Sequence, residues 1–323
     1  MLVKSRAVLV GALALAAAFT WSFAAQKSPQ LLRREGLTKD ANAGNYKDAY
    51  DGLRKLALDP KDDPEKVGED LVLAINCLRS LGRHDEVDEF REAVVRVHRG
   101  NWRLLETAAQ TWAEVEHYGY LVAGKFYRGI HRGGGRYVNT TGRDRVRALQ
   151  LMQQALPLTK ADADRSAVAG FHLRFAELVV RGAGRHEAWR LQYLTDLSKL
   201  PDYEDGYGYG GDGRGAPVDA DGKPVYYHVP NGYETAASDG ERWRWLLARA
   251  VEIDPARLSE AEVAFANFLH GQFGAQTLAS GGRHFPAEDE DKKDKSGTYA
   301  LHTLTDDETV ARLATGVKRF KLP

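Results

Sequence analysis

Between Lys125 and Arg147 the chain carries seven lysines and arginines, at positions 125, 128, 132, 136, 143, 145 and 147, against one acid, Asp144. Tyr127, His131 and Tyr137 are interleaved with them. A guanidinium presents a planar fork of donors that fits carboxylate, sulfate or phosphate oxygens. Arg128, Arg132 and Arg136 are therefore candidate contacts for a polyanion, either an anionic envelope glycan or an acidic protein surface. The competing assignment, which the sequence favours, pairs these arginines with carboxylates of neighbouring helices. A second candidate lies in residues 201–233, where Tyr203, Tyr207, Tyr209, Tyr226, Tyr227 and Tyr233 stand among glycines and prolines. Tyrosine joins a large apolar ring to a hydroxyl. Tyr207, Tyr209, Tyr226 and Tyr227 thus serve either to dock a long loop or to form a ligand platform.

The remaining motifs carry less chemistry. Gly208, Gly210 and Gly213 match G-x-G-x-x-G, but the phosphate-binding version needs a strand before it and a helix after it. Leu200-Pro201 closes a helix ahead of the glycines and Gly215-Ala216-Pro217 blocks one behind them. Asp219-Ala220-Asp221-Gly222 resembles part of a calcium loop, yet alignment on its glycine puts Pro217 and His228 where carboxylates are required. The ten histidines form no zinc motif, and no Gly-x-Ser-x-Gly elbow occurs. No catalytic residue, metal ligand or cofactor is assigned. An acid-catalysed hydrolase built from Glu204, Asp205 or Glu234 stands as the enzymatic alternative.

The elements that must position these residues read as helices. Tyr46, Ala49, Leu53 and Leu56 fall at spacings of three and four, between Gly44 and the stop Asp59-Pro60. Similar openings recur at Gly82 and Gly184, and a similar ending at Asp254-Pro255, which is the cadence of degenerate tetratricopeptide-type hairpins. Asp63-Pro64 opens a helix whose inner face is Val67, Leu71, Ala74, Ile75, Leu78 and Leu81. Further helical faces run through Val87 to Val97, Trp102 to Trp112, Val146 to Leu156, Val168 to Val179, Trp189 to Leu200, Trp243 to Ile253 and Val263 to Leu269. A short helix is expected over Asp306 to Thr315. Residues 119–142 break the helical pattern, and a small hairpin is expected to turn at Asp221-Gly222.

The 323 residues include 45 basic and 45 acidic side chains, so net charge argues for neither nucleic acid nor an anionic membrane. Lys4 and Arg6 precede an uncharged run to Ala25, with Ser22 and Ala24 at the positions read by a signal peptidase. The preferred reading is a cleaved secretory signal over 1–25, with an uncleaved anchor as the alternative. Cys77, the one cysteine, reads as a small buried hydrophobe. The domain plan is a helical repeat domain over 26–286 with the 201–233 loop inserted, a charged linker over 287–297, and a C-terminal segment over 298–323.

Several irregular stretches carry a resemblance. Gly124-Lys125-Phe126-Tyr127-Arg128-Gly129, His131 to Asn139, Asp202 to Gly211, Gly215 to Pro230, Ser238 to Pro255 and Ser296 to Phe320 resemble the N-terminal region of large bacterial alpha-2-macroglobulin-like proteins. The resemblance implies an exported helical module preceding macroglobulin β-sandwich domains, in a family that traps proteases. The chain departs from that family in lacking the β-sandwich series and the thioester, since Cys77 is followed by Leu78-Arg79-Ser80 where the thioester has Gly-Glu-Gln. The expectation is an all-α solenoid that acts as a non-catalytic protein-interaction module in the periplasm or cell envelope. Its partners are envelope proteins, including separately encoded macroglobulin domains, with no nucleic acid and no membrane contact except through an uncleaved N-terminal segment. An envelope enzyme or glycan-binding protein using the 201–233 loop is the alternative.

Overall fold

The computed structural model describes residues 28–181, 191–206, 218–225, 228–273, 304–313 and 315–321. Residues 1–25, read above as a signal, residues 287–297, read as a charged linker, and the sequence around Gly184 lie outside them. Helix α1 (Pro29–Asn42) starts where Ser28 Oγ accepts from Leu31 N and Pro29 takes the first helical position. Gly44, at φ +85°, turns the chain into α2 (Tyr46–Ala57), which buries Ala49, Tyr50, Leu53 and Leu56. The two helices approach closely at Gly52, where a Cβ would lie 2.2 Å from a Leu37 methyl. A turn at Pro64 leads into α3 (Val67–Ser80), whose buried stripe is Val67, Leu71, Ala74, Ile75 and Leu78. Leu81, by contrast, is exposed. Arg34 of α1 donates to Asp70 Oδ2 at 2.8 Å and also to Asp62, tying the first helix to the third.

Helices α4 (Val87–Val97) and α5 (Trp102–Ala113) follow. Asn101 caps α5 by accepting from Arg103 N and Leu104 N, and its amide donates to Pro64 O at 2.6 Å. After α5 the chain turns to sheet: β1 (Tyr118–Val122), β2 (Lys125–Arg128), β3 (Arg136–Asn139) and later β4 (Glu204–Asp205) pair antiparallel in the order β2-β1-β3-β4. Ala123 and Gly124 both have positive φ, 50° and 82°, which is the geometry of a two-residue hairpin turn. Helices α6 (Thr141–Ala155) and α7 (Arg165–Val180) then resume the core. Helix α8 (Asp239–Ile253) packs along α7, and α9 (Leu258–Phe273) closes the series. A final hairpin pairs β5 (Glu308–Leu313) with β6 (Gly316–Lys321).

One continuous apolar core runs from Ala41 to Ala261 and holds Trp102, Phe171, Phe175 and Trp243. The fold is therefore mostly helical with small antiparallel sheets, which corrects the all-α expectation. Three local expectations also change. Residues 119–139, seen in the sequence only as irregular, form the sheet. The helix expected over 306–315 is a β-hairpin, in which alternation sends Leu313 inward beside Val218 and Phe320. Of the helix expected over Trp189 to Leu200, Leu191 and Gln192 form a 3-10 turn and residues 193–200 are not helical. There Tyr193 O accepts from Asp239 N, Thr195 N donates to Asp239 Oδ1, and Thr195 O accepts from Arg242. Those backbone groups are engaged by α8, so no i to i+4 ladder forms. On α9, Phe268 packs 4.3 Å from the Trp243 ring, whereas Val263 and Ala266 face outward. The turn at Asp221-Gly222 is present: Asp219 N donates to Lys223 O and Val218 bridges Pro224. No helix among the described residues is long and apolar enough to cross a membrane.

Candidate functional site

Strand alternation gives the sheet two faces. Tyr118, Tyr120, Tyr127 and Tyr137 share the outer one, where Tyr127 stacks on His131 at 4.6 Å and Tyr120 meets Tyr137 edge-on at 5.6 Å. Phe126, Arg128 and Val138 share the inner one. Gly119 lies opposite Arg128, and a Cβ there would meet Tyr127 O at 2.2 Å and the Phe126 ring at 2.5 Å. Only glycine lets that ring lie across the strand.

Arg128 is the hub beneath the sheet. Its guanidinium donates to Asp88 of α4, to Glu116 O at 2.7 Å, and through two bonds of 2.9 Å to both oxygens of Asp144 on α6. Asp144 also accepts from Thr140 Oγ1 at 2.6 Å and contacts His117 Nδ1 at 2.9 Å. Burial opposes both charges. The Asp88 and Asp144 carboxylates nevertheless hold Arg128 above the usual arginine range, and the bonds from His117, Arg128 and Thr140 hold Asp144 below the usual carboxylate range. Arg91, wholly buried under Asp88, is pulled down to about 10 by burial. Its guanidinium lies 4.1 Å from the Trp112 ring centre.

Above this hub opens a cleft of about 610 Å³, within the size range of small-ligand sites. One wall is the His84–Glu92 stretch with Asp85, Glu86, Asp88, Glu89 and Glu92. The other carries Phe126, Lys125, Arg143, Arg147, Leu200 and Tyr203, with Trp112, Arg128 and Asp144 completing the lining. Most charges here are internally paired: Glu86 with Arg83, Glu92 with Arg147, Asp88 with Arg91 and Arg128. Asp85 and Glu89 are exposed and have no ionic partner among the described residues. Tyr203 stacks on Phe126 at 4.9 Å and lies under the Arg143 guanidinium at 4.6 Å. The loop that begins at Pro201 thus supplies part of the cleft wall.

The candidates read from sequence are not gathered into one site. Arg128 is buried and fully engaged within the fold, so it is not a surface contact for a polyanion. Arg136 is exposed and pairs with Asp205. Arg132 is exposed on the β2–β3 connection and has no ion pair among the described residues. Arg145 and Arg147 bind Asp239 and Glu92, so pairing with neighbouring carboxylates accounts for much of the basic segment. Tyr207, Tyr209, Tyr226 and Tyr227 lie outside the described residues. Tyr233 is buried against Phe175 at 5.1 Å. Of the acids weighed for hydrolysis, Asp205 pairs with Arg136 and Glu234 accepts from Gln153, while Glu204 and Asp205 are strand neighbours that point to opposite sides. They do not oppose each other across a substrate space. No group of three or more metal-ligating side chains occurs among the described residues, and burial raises the Cys77 thiol. The residues that sequence reasoning passed over are Asp85, Glu89 and Trp112. The signal for the two acids was present in the acid-rich run Asp85 to Glu92. Comparison with family models, with curated proteins and with solved structures yields no match to this chain.

Proposed function

We propose that the protein is a non-catalytic protein-interaction module of the cell envelope, built on degenerate tetratricopeptide-like hairpins and acting as the N-terminal part of a macroglobulin-like system. One observation carries this reading: the 610 Å³ cleft presents Asp85 and Glu89 unpaired beside the aromatic Phe126 and Tyr203, while its other carboxylates are held by arginines. Groups engaged in that way fix a surface and are not free to move protons. Export rests on the charged start and apolar run of residues 1–25. No cofactor or nucleic acid enters the reading, and membrane contact is confined to an uncleaved N-terminal segment. The test is site-specific photocrosslinking in cells, with the crosslinker at position 89 in the cleft or at position 132 on the β2–β3 connection. One discrete envelope protein captured from 89 and not from 132 is the expected result. Equal, diffuse labelling from both positions would sink it. Intact mass of the envelope-derived protein reports export, with cleavage after Ala24 expected. Glycan binding is the second reading, favoured by Tyr203, which carries the 201–233 loop into the cleft wall.

A further inference from the structure

The outer face of the sheet is a second surface, with Lys125 on the border between it and the cleft. Register sets Tyr127, Tyr120 and Tyr137 in one row across β2, β1 and β3, with Tyr118 and Lys125 in the adjoining rows. The four tyrosines are partly exposed, and Lys125 and Arg132 are exposed without an ion pair among the described residues. The rings pack on one another. Tyr118 stacks on Tyr137 at 5.9 Å, Tyr120 meets Tyr137 edge-on, and Tyr127 carries His131, with the Lys125 ammonium 4.8 Å from its centre. The hydroxyls of Tyr118, Tyr120 and Tyr127 have no hydrogen-bond partner among the described residues. From His117 to Arg143 the chain contains no acid. The bordering carboxylates are turned elsewhere: Asp144 holds Arg128, Asp205 pairs with Arg136, and a Glu204 oxygen lies beside Gly142 at the start of α6.

We infer that this face binds a polysaccharide bearing carboxylates, its hydroxyls meeting the tyrosine phenols and its acid groups meeting Arg132 and Lys125. Phenols both donate and accept, which suits sugar hydroxyls, and a guanidinium fork suits a carboxylate. Single-stranded nucleic acid fits less well, because base stacking needs open ring faces and these rings are packed on one another. An acidic protein surface also fits less well. Strand spacing and rise give β1–β3 a face on the order of 200 Å². A stable protein interface takes about 800 Å² from each partner. The inference goes beyond the protein-binding cleft and does not rest on it.

The experiment titrates the full mature chain with fluorescently labelled tetragalacturonate and, separately, with a neutral chitin tetrasaccharide and an oligothymidylate of equal charge. The galacturonate should bind, and should weaken about tenfold between low and near-physiological salt because the cations are exposed. Lys125→Glu with Arg132→Glu should weaken it about tenfold or more. Tyr120→Phe with Tyr127→Phe removes two hydroxyls and keeps the rings. That variant should bind about threefold or more weakly, at an unchanged salt slope. All four positions are at least partly exposed, so thermal melting should show both variants folded. Wild-type affinity in either variant would overturn the inference, as would a galacturonate that does not bind. An oligothymidylate bound as tightly would make the face an unselective cationic patch, and a neutral tetrasaccharide bound as tightly would remove the role of charge; either result also overturns it. None of these results bears on crosslinking from position 89, so this inference and the cleft reading fail separately.

Discussion

Arg128 and Asp144 face each other through two parallel hydrogen bonds, Nη1 to Oδ2 and Nη2 to Oδ1, each 2.9 Å. Both side chains are almost wholly buried, and they join β2 to the first turn of α6. Removing one member of such a pair leaves the other charged and desolvated, which costs about 3–5 kcal/mol. Arg128→Ala should therefore lower the free energy of unfolding by that amount in urea titrations. Arg128→Lys keeps the charge but not the fork, and should still cost about 1–3 kcal/mol. A loss below experimental error for Arg128→Ala would show the pair to be dispensable.

Asp62 and Asp70 share the single guanidinium of Arg34, so one buried carboxylate is left undercompensated. Burial pushes Asp70 up to about 6, against the lowering effect of Arg34. The folded protein thus holds a proton that the unfolded chain releases near the ordinary carboxylate value of about 4. Its contribution is present in full below that value and is lost as pH rises through about 6. Unfolding free energy should fall by about 1–2 kcal/mol across this window, and Asp70→Asn should flatten the fall. An unchanged slope in Asp70→Asn would assign the dependence elsewhere.

Gly119 has the Phe126 ring and the Tyr127 carbonyl where a side chain would go. Gly119→Ala must displace backbone or ring, and overpacking of this kind costs about 1–3 kcal/mol. The local consequence is the sharper test. Hydrogen exchange should quicken in 118–128 while the helical core keeps its protection.

Trp243 is 2% exposed, stacked on Phe265 at 5.5 Å and close to Phe268. Trp243→Ala should cost about 3–5 kcal/mol, since the α8–α9 interface cannot collapse around so large a void. Chemical denaturation measures it directly. A cost under about 1 kcal/mol would mean that the cavity refills.

Helices with a single inward stripe were legible. Ala49, Leu53 and Leu56, or Val67, Leu71, Ala74 and Ile75, announce their faces because an i, i+3, i+4 spacing has one geometric solution. The sheet was not read, although Tyr118, Tyr120 and Val122 alternate and Ala123-Gly124 separates two aromatic-rich runs. Short runs satisfy helical and extended templates alike, and that ambiguity also misplaced 306–315. The 193–200 segment failed for another reason. Its leucines keep helical spacing, but Asp239, far along the chain, takes the backbone donors and acceptors that a helix needs. The cleft was half visible: the acid-rich run could be seen, but which acids remain unpaired depends on Arg83, Arg128 and Arg147 arriving from elsewhere in the fold.

Asp239 stands at the first position of α8 and receives Arg145 from α6, Arg242 from its own helix, and both the amide and hydroxyl of Thr195. Arg145 also donates to Val179 O near the end of α7, and α7 packs along α8. The N-terminal and C-terminal parts of the helical body are thus clasped side to side, independently of the peptide bonds that run between Arg181 and Leu191. A chain cut in that interval should still come out of gel filtration as one particle. Two pieces expressed apart, ending and beginning there, should find each other and rebuild it, which would make the protein a natural subject for fragment complementation.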